Sequence, residues 1–108
     1  MKLGTILQSN NPEHVWNTLR LGITALSASH SVHIFLMSEG VEITNIPDTK
    51  HFDISKKLEK FQKLGGQLLA CGTCLEIRHT GENRVCPVST MKDLVKMIEE
   101  SDKVLVFG

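Results

Sequence analysis

A chain of 108 residues is near the common size of one domain and can bury a hydrophobic core without disulfide bonds, so we expect a single domain over residues 1–108. Hydrophobic residues make up 41% of the chain and charged residues 22%, which excludes a disordered protein. Lys and Arg together number 12, as do Asp and Glu, and this zero net charge does not indicate a nucleic-acid partner.

The chain begins with a predicted strand and a predicted helix. Leu3 to Gln8 is a short apolar run without the longer apolar region or the cleavage site of a signal peptide, and it predicts a strand. Asn11 and Pro12 then supply a helix cap and a first-turn proline. The helix itself is predicted by an apolar stripe at helical spacing, formed by Val15, Leu19, Ile23 and Leu26.

A second strand and a long connection follow this helix. Val32 to Met37 is apolar on both faces apart from His33, which is typical of a parallel strand covered by helices on both sides. Ser38 to Gly40 is expected to end the strand. Val41 to Phe52 contains Pro47 among polar residues, and we interpret it as a loop over the carboxyl edge of the sheet.

A second helix is predicted after Asp53, which is placed to cap it, and ends at Gly65 and Gly66. Its apolar positions are Ile54, Leu58 and Phe61. Its lysines come closest to a basic patch, but acidic residues interrupt them, so we interpret them as a solvated face rather than a phosphate-binding surface. These residues are Lys56, Lys57, Lys60 and Lys63, with Asp53 and Glu59 as the interrupting acids.

The second half of the chain alternates strands and helices in the same way. Gln67 to Cys71 predicts a buried strand, and Gly72 to Arg78 predicts a short helix that stops at Thr80 and Gly81. Arg84 to Val88 predicts a weaker strand. No stretch approaches the roughly 18 to 20 consecutive apolar residues of a membrane span, so we expect no membrane partner.

The final elements complete the pattern of an α/β fold. Thr90 and Asp93 form a capping-box pattern that opens a helix, and Val104 to Phe107 predicts the last strand. The apolar residues predicted for one side of this helix are Met91, Leu94, Val95 and Ile98. Five strands alternating with four helical segments predict three α/β/α layers around a mainly parallel sheet, with ligands at the carboxyl ends of the strands.

The candidate chemistry of the sequence centres on Cys71 and Cys74. Cys71 ends the predicted strand and Cys74 lies in the first helical turn, where unpaired backbone N–H groups favour an anion, so the thiols are expected to ionise more readily than a free thiol. Three residues apart on a helix, the two side chains share a face, and a reversible disulfide is geometrically possible. Inert packing is the alternative reading. Cys86 receives no firm role.

The segment from Gly65 to Arg78 resembles the DsrE-like (DsrE/DsrF-like) family of small sulfur-relay proteins. It has a glycine-containing helix end, an apolar strand, a cysteine at the end of that strand and an arginine seven residues later. Cys71 matches the sulfur-carrying cysteine of the family, and the order of strands and helices fits over nearly the whole chain. Cys74 is not part of the relay pattern.

The resemblance implies a sulfurtransferase-like carrier that needs no organic cofactor. In this reading, Cys71 attacks a donor persulfide as a thiolate, carries the terminal sulfur as its own persulfide and passes it to an acceptor protein. We add the hypothesis that Cys74 attacks this persulfide, releases sulfide and leaves a disulfide. The resemblance also implies a homo-oligomer, a trimer or a hexamer. An odd number of cysteines without an export signal predicts the reducing cytoplasm.

Three other functions remain open from the sequence. A zinc-binding module has four candidate ligands, and these are Cys71, Cys74, His79 and Cys86. A dithiol oxidoreductase would use the Cys-Gly-Thr-Cys motif for thiol exchange. A non-catalytic oligomeric interaction domain would use the cysteines for packing alone.

Overall fold

The computed structural model describes residues 1–78 and 88–108, and within these ranges five strands form one sheet flanked by helices. The elements in chain order are β1 (Lys2–Leu7), α1 (Pro12–Ser27), β2 (Ser31–Leu36), a 3₁₀ helix (Ser38–Asn45), α2 (Ile54–Lys63), β3 (Gln67–Cys71), α3 (Gly72–Ile77), β4 (Val88–Ser89), α4 (Met91–Glu100) and β5 (Lys103–Phe107). The predicted α/β class and its parallel sheet of about five strands are confirmed.

The sheet is parallel throughout and has the strand order β4-β3-β2-β1-β5. β1 lies between β2 and β5, and all residues of β1 are paired with β2. The carboxyl ends of the strands therefore meet at one edge of the sheet, because parallel strands all point the same way. Backbone hydrogen bonds continue past this edge, from Gln8 N to Phe107 O at 2.9 Å and from Met37 N to Leu7 O at 3.1 Å.

The helices cover opposite faces of the sheet and make the three predicted layers. A Cβ atom added to Gly22 of α1 would lie 3.7 Å from Val32, and 2.7 Å from Phe61 of α2, so both helices cover the face that Val32 shares. A Cβ atom added to Gly4 would meet Met97 of α4 and Ser101 just after it. Gly4 and Val32 point to opposite faces, because Val32 pairs with Leu3.

The first two helices follow their predicted apolar patterns. Val15 and Leu19 of α1 are fully buried, and the side chain of Asn11 caps this helix by accepting hydrogen bonds from the N–H groups of Glu13 and His14. In α2, all three predicted apolar residues, Ile54, Leu58 and Phe61, are buried. The spacing of apolar residues therefore identified the core-facing side of both helices.

The predicted capping bond of Asp53 is absent at the start of α2. Asp53 occupies the N-cap position, but its carboxylate accepts a hydrogen bond from the indole N–H of Trp16 at 2.9 Å, which lowers the pKa of Asp53. Asp48 instead accepts hydrogen bonds from the hydroxyl group and the backbone N–H of Ser55 in the first turn, and these bonds lower the pKa of Asp48. A backbone N–H group in the first turn of α2 is thus paired with a residue five positions before the predicted cap.

The predicted loop from Val41 to Phe52 is wrong in its first part. Residues Ser38–Asn45 form a 3₁₀ helix, in which Val41 and Ile43 are buried. A segment that buries two apolar side chains gains stability from packing, whereas an exposed loop does not. This 3₁₀ helix contacts both β3 and α3, and it becomes important for the cysteines.

The last helix begins with the predicted capping box between Thr90 and Asp93, but its predicted apolar side is only partly correct. Leu94 and Met97 are its buried residues. Three of the four residues predicted to share one side are exposed in the monomer: Met91 at 49%, Val95 at 53% and Ile98 at 43%. The helix thus has one apolar side on the sheet and a second that faces outward.

Some predictions fall outside the described part of the chain. Thr80, Gly81 and most of the predicted strand Arg84 to Val88 lie there, while β4 begins at Val88. Across residues 1–78 and 88–108, none of the helices has the length and apolar character needed to cross a bilayer.

Candidate thiol site

The two cysteines lie where the sequence placed them, at the junction of β3 and α3. Cys71 is the last residue of β3 and the N-cap residue of α3, and Cys74 is the third residue of that helix. Both are free thiols, and their side chains interact with each other. The predicted pair is therefore brought together at the carboxyl edge of the sheet.

The two thiols differ in their access to solvent. Cys71 is only 3% exposed and belongs to the hydrophobic core, next to Ser89 in the register of β3 and β4. Cys74 is partly exposed and packs against the edge of the core. A reagent from solution reaches the sulfur of Cys74 more easily than that of Cys71.

Ser38 contributes a hydrogen bond to the site from the start of the 3₁₀ helix. Its backbone N–H donates to Sγ of Cys74, with 3.2 Å between the nitrogen and the sulfur. The φ angle of Ser38 is +51°, a left-handed conformation that residues other than glycine adopt only when their surroundings impose it. Gly40, two residues further along, is buried against the carbonyl group of Leu7, so the start of the 3₁₀ helix is held against the end of β1.

An ion pair joins the 3₁₀ helix to the end of α3. Nε of Arg78 lies 2.8 Å from Oε1 of Glu42, and both side chains are partly buried. A second guanidinium nitrogen, Nη1, donates to the carbonyl oxygen of Cys74 at 3.4 Å. Arg78 therefore links the helix that carries Cys74 to the segment that carries the Ser38 N–H group.

The acidity of Cys74 differs from the sequence-based prediction. Burial raises the pKa of the Cys74 thiol above its ordinary value, and the neighbouring Cys71 raises it further. The Ser38 N–H group and the charge of Arg78 act in the opposite direction, but they do not outweigh burial. The prediction of an easily ionised thiol is therefore wrong for Cys74. Its thiolate fraction at neutral pH is smaller than that of a free cysteine, while each thiolate is the stronger nucleophile.

The metal-binding alternative has no support in the part of the chain that is described. No group of three or more His, Cys, Asp or Glu residues is placed to hold a metal ion within residues 1–78 and 88–108. His79 and Cys86, two of the four candidate zinc ligands, lie outside these residues. Cys71 and Cys74 alone supply two ligands, whereas structural zinc sites have four.

One side of the 3₁₀ helix borders a groove. It has a volume of about 500 Å³ and runs between that helix and α2. Its lining includes the apolar residues Ile43, Ile54 and Leu58 and the charged residues Glu59 and Lys63. Neither thiol lines this groove, so its volume does not describe the space around the sulfur atoms.

Comparison with known proteins identifies the family of the chain. A sequence profile of the DsrE/DsrF-like family matches residues 1–107. The chain belongs to the DsrE/DsrF-like family. Membership of this family supports a role of the sulfur-relay type, without specifying the reaction, and it agrees with the resemblance found in the sequence.

Relatives and solved structures extend over nearly the full length of this DsrE/DsrF-like chain. Protein MK0008 of Methanopyrus kandleri is 31% identical, with 95% of this chain and 92% of that protein covered. Protein MJ0989 of Methanocaldococcus jannaschii is 30% identical, with 88% of each chain covered. Both are described as uncharacterized, so they carry no functional information.

Two solved structures share the fold of this DsrE/DsrF-like protein. The ychN protein from E. coli has a TM-score of 0.82 and 23% identity, and the match covers 99% of this chain and 100% of that one. The conserved protein BT1422 from Bacteroides thetaiotaomicron has a TM-score of 0.79 and 17% identity, with 97% and 93% covered. At these identities the comparison establishes the fold alone.

Two parts of this DsrE/DsrF-like site were not predicted from the sequence. Ser38 was interpreted only as the end of a strand, and Glu42 as part of a loop, although both contact the α3 segment. Each contact joins residues 36 positions apart. The only local signal was Gly40, since a glycine after a strand indicates a tight turn.

Proposed function

We propose that this protein carries sulfane sulfur as a persulfide on the pair Cys71 and Cys74, in the reducing cytoplasm. The observation that supports this most is the placement of two free thiols, one buried and one partly exposed, three residues apart at the carboxyl edge of a parallel sheet. Family membership supports the same class of role. The partners of this reaction are a sulfur-donor protein and a sulfur-acceptor protein.

The transfer is a thiol exchange that needs no organic cofactor. A cysteine thiolate attacks the outer sulfur of a donor persulfide, R–S–SH, while the S–S bond of the donor breaks and R–S⁻ leaves. The protein then holds the outer sulfur as a persulfide. An acceptor thiolate removes it by the same exchange in reverse. Dividing the transfer into two steps means that donor and acceptor never need to meet.

Intact mass spectrometry of the purified protein tests this proposal. The protein is incubated with glutathione persulfide, and the same measurement is made on Cys71→Ser, Cys74→Ser and the double variant. We expect wild-type protein to gain about 32 mass units per sulfur atom, and the double variant to gain none, because Cys86 has no role in the proposal. A gain that is unchanged in the double variant contradicts it.

The same spectra separate the other functions. A loss of two hydrogen atoms that requires both thiols indicates dithiol exchange, or resolution of the persulfide by disulfide formation. A mass increase from bound zinc under native conditions indicates a metal module. A protein unchanged by every donor indicates an interaction domain with packed cysteines.

We also propose that the carrier is a homo-oligomer, as the family resemblance implies. The outward stripe of α4, which consists of Met91, Val95 and Ile98, is apolar and more than two-fifths exposed at each residue. Exposed apolar side chains at helical spacing are typical of an interface between subunits.

Substitution on the α4 stripe tests the oligomer. We expect wild-type protein to have several times the monomer mass in size-exclusion chromatography with light scattering, and Val95→Lys to have a smaller mass, because a charge at an apolar interface is costly to bury. Lys96→Glu changes an exposed residue of the same helix that points about 100° away from Val95, and it is expected to leave the mass unchanged. A monomeric wild-type protein contradicts the proposal.

A further inference from the structure

The two thiols of the site are not equivalent, and their difference assigns an order to the transfer. A donor persulfide on another protein needs space for its own side chain and backbone around the sulfur it presents. Cys71 is 3% exposed and offers no such space, whereas Cys74 is partly exposed. The two side chains interact with each other at the start of α3, which gives a route from the partly exposed thiol to the buried one.

The hydrogen bond from Ser38 is directed at the sulfur of Cys74, the more exposed of the two thiols. The backbone N–H of Ser38 lies 3.2 Å from Sγ of Cys74. A thiolate accepts a hydrogen bond more strongly than a thiol does, so this donor favours the negative charge that Cys74 carries when it attacks, and again when it leaves. A fixed backbone donor needs no rearrangement at the moment of reaction.

Three features hold this donor in place. The left-handed backbone of Ser38, at a φ of +51°, directs its N–H group toward the sulfur. Gly40 allows the turn to lie against the carbonyl group of Leu7. The ion pair between Glu42 and Arg78 fixes the same 3₁₀ helix to the end of α3. The 3₁₀ helix that carries the Ser38 N–H group is therefore fixed both to the end of β1 and to α3, the helix that carries Cys74.

We infer that Cys74 is the receiving thiol, that the Ser38 N–H group stabilises its thiolate, and that Cys71 is the holding thiol; this inference rests on the proposed persulfide function. The Cys74 thiolate attacks the outer sulfur of R–S–SH, and R–S⁻ leaves. Cys71 sulfur then attacks the same atom, the S–S bond on Cys74 breaks, and the proton of Cys71 passes to Cys74. Each step exchanges one S–S bond for another, so no oxidant or reductant is consumed.

The buried end of this route has a consequence for storage. A persulfide on Cys74 is open to small nucleophiles in solution, whereas a persulfide on Cys71 is surrounded by core residues. Cyanide is a small probe of this difference, because it removes outer sulfur atoms and forms thiocyanate. The sulfur of the wild-type protein is therefore expected to react slowly with cyanide.

Loading from a protein donor tests the order of the two thiols. Persulfidated serum albumin serves as the bulky donor, and sulfur on each cysteine is located over time by alkylation and fragment-ion mapping. We expect sulfur on Cys74 first and on Cys71 later in the wild-type protein. Cys74→Ser should load at least about tenfold more slowly from albumin, while Cys71→Ser should keep its sulfur on Cys74 and lose it to cyanide about tenfold faster than wild type.

The outcomes separate this inference from the proposed function. Sulfur that appears on Cys71 first, or normal loading of Cys74→Ser by albumin, overturns the order while leaving the carrier function intact. Wild-type protein that gains sulfur from neither albumin nor glutathione persulfide overturns the carrier function itself. Because the time course of the wild-type protein gives the order directly, the test stands even where a serine variant folds poorly.

Substitution of Ser38 tests the backbone donor. Ser38→Gly keeps the N–H group and suits a positive φ, so it is the reference for the valine variant. Ser38→Val disfavours a positive φ and displaces the N–H group, and we expect Cys74 to load about tenfold more slowly in it than in Ser38→Gly. Equal rates for the valine and glycine variants would show that the donor plays no part.

Discussion

Gly40→Ala is expected to detach the 3₁₀ helix from the end of β1 and to lower the free energy of unfolding by about 3 kcal/mol. A Cβ atom at this buried position would lie 2.1 Å from the carbonyl oxygen of Leu7 and 2.9 Å from its carbonyl carbon. Both atoms belong to the backbone of a strand that pairs on both sides, so they cannot move aside as a flexible side chain can.

Two measurements check this expectation. Urea unfolding gives the loss of stability, and amide hydrogen exchange gives its location, because Gly40 N donates to Met37 O and Met37 N donates to Leu7 O. Exchange should become faster around these residues. Glu39→Ala is the matched control, since Glu39 is exposed in the same 3₁₀ helix and is expected to change stability by less than about 0.5 kcal/mol. If amide exchange around these residues is as slow in Gly40→Ala as in the wild-type protein, the prediction is contradicted.

Gly66→Ala is expected to lower the free energy of unfolding by about 2 kcal/mol or more, through a clash with the ring of Phe61. Phe61 is fully buried, and a Cβ atom on Gly66 would lie between 2.4 and 2.6 Å from three of its ring carbons. Gly22 of α1 approaches the same ring, at 2.7 Å for an added Cβ atom. The ring therefore fills a space bounded by two residues without side chains.

A double-mutant cycle with Phe61→Leu isolates this clash. Leucine lacks the outer ring atoms, so the combined loss for Gly66→Ala and Phe61→Leu should be smaller than the sum of the single losses by about 1 kcal/mol or more. Gly65→Ala is the control, because its φ of +96° costs stability through the backbone alone and no atom lies within 4 Å of its added Cβ. We expect additivity with Gly65→Ala; additivity with Gly66→Ala as well would contradict the proposed contact. Chemical denaturation of all five variants gives the energies.

The elements of the fold that could be predicted from the sequence are those specified by local patterns. The apolar spacing of Val15 and Leu19, and the capping box of Thr90 and Asp93, act within a few residues and appear in the structure as expected. The position of Cys71 at the end of β3 is equally local, because an apolar run followed by Gly72 indicates where the strand stops. These patterns also produced the correct fold class.

The features that could not be predicted depend on contacts between distant parts of the chain. Ser38 reaches Cys74, and Glu42 reaches Arg78, only because β2 and β3 are neighbours in the sheet. The raised pKa of Cys74 follows from its burial in the folded chain, and Cys71 raises it further. Apolar spacing on α4 could not distinguish the side that packs on the sheet from the outward stripe, since both sides carry apolar residues. Local sequence propensity does not depend on contacts between distant residues, so it could not predict these features.

The strand order also determines how the chain assembles as it is synthesised. β2 can pair with β1, β3 with β2 and β4 with β3 in the order in which they leave the ribosome, so each new strand extends the same side of the growing sheet. The other side of β1 receives its partner only when Lys103–Phe107 has emerged, after the other four strands. Until then, a nascent chain presents one unpaired parallel edge along its first strand. Truncation before residue 103 makes this exposure permanent and creates a template for aggregation between chains.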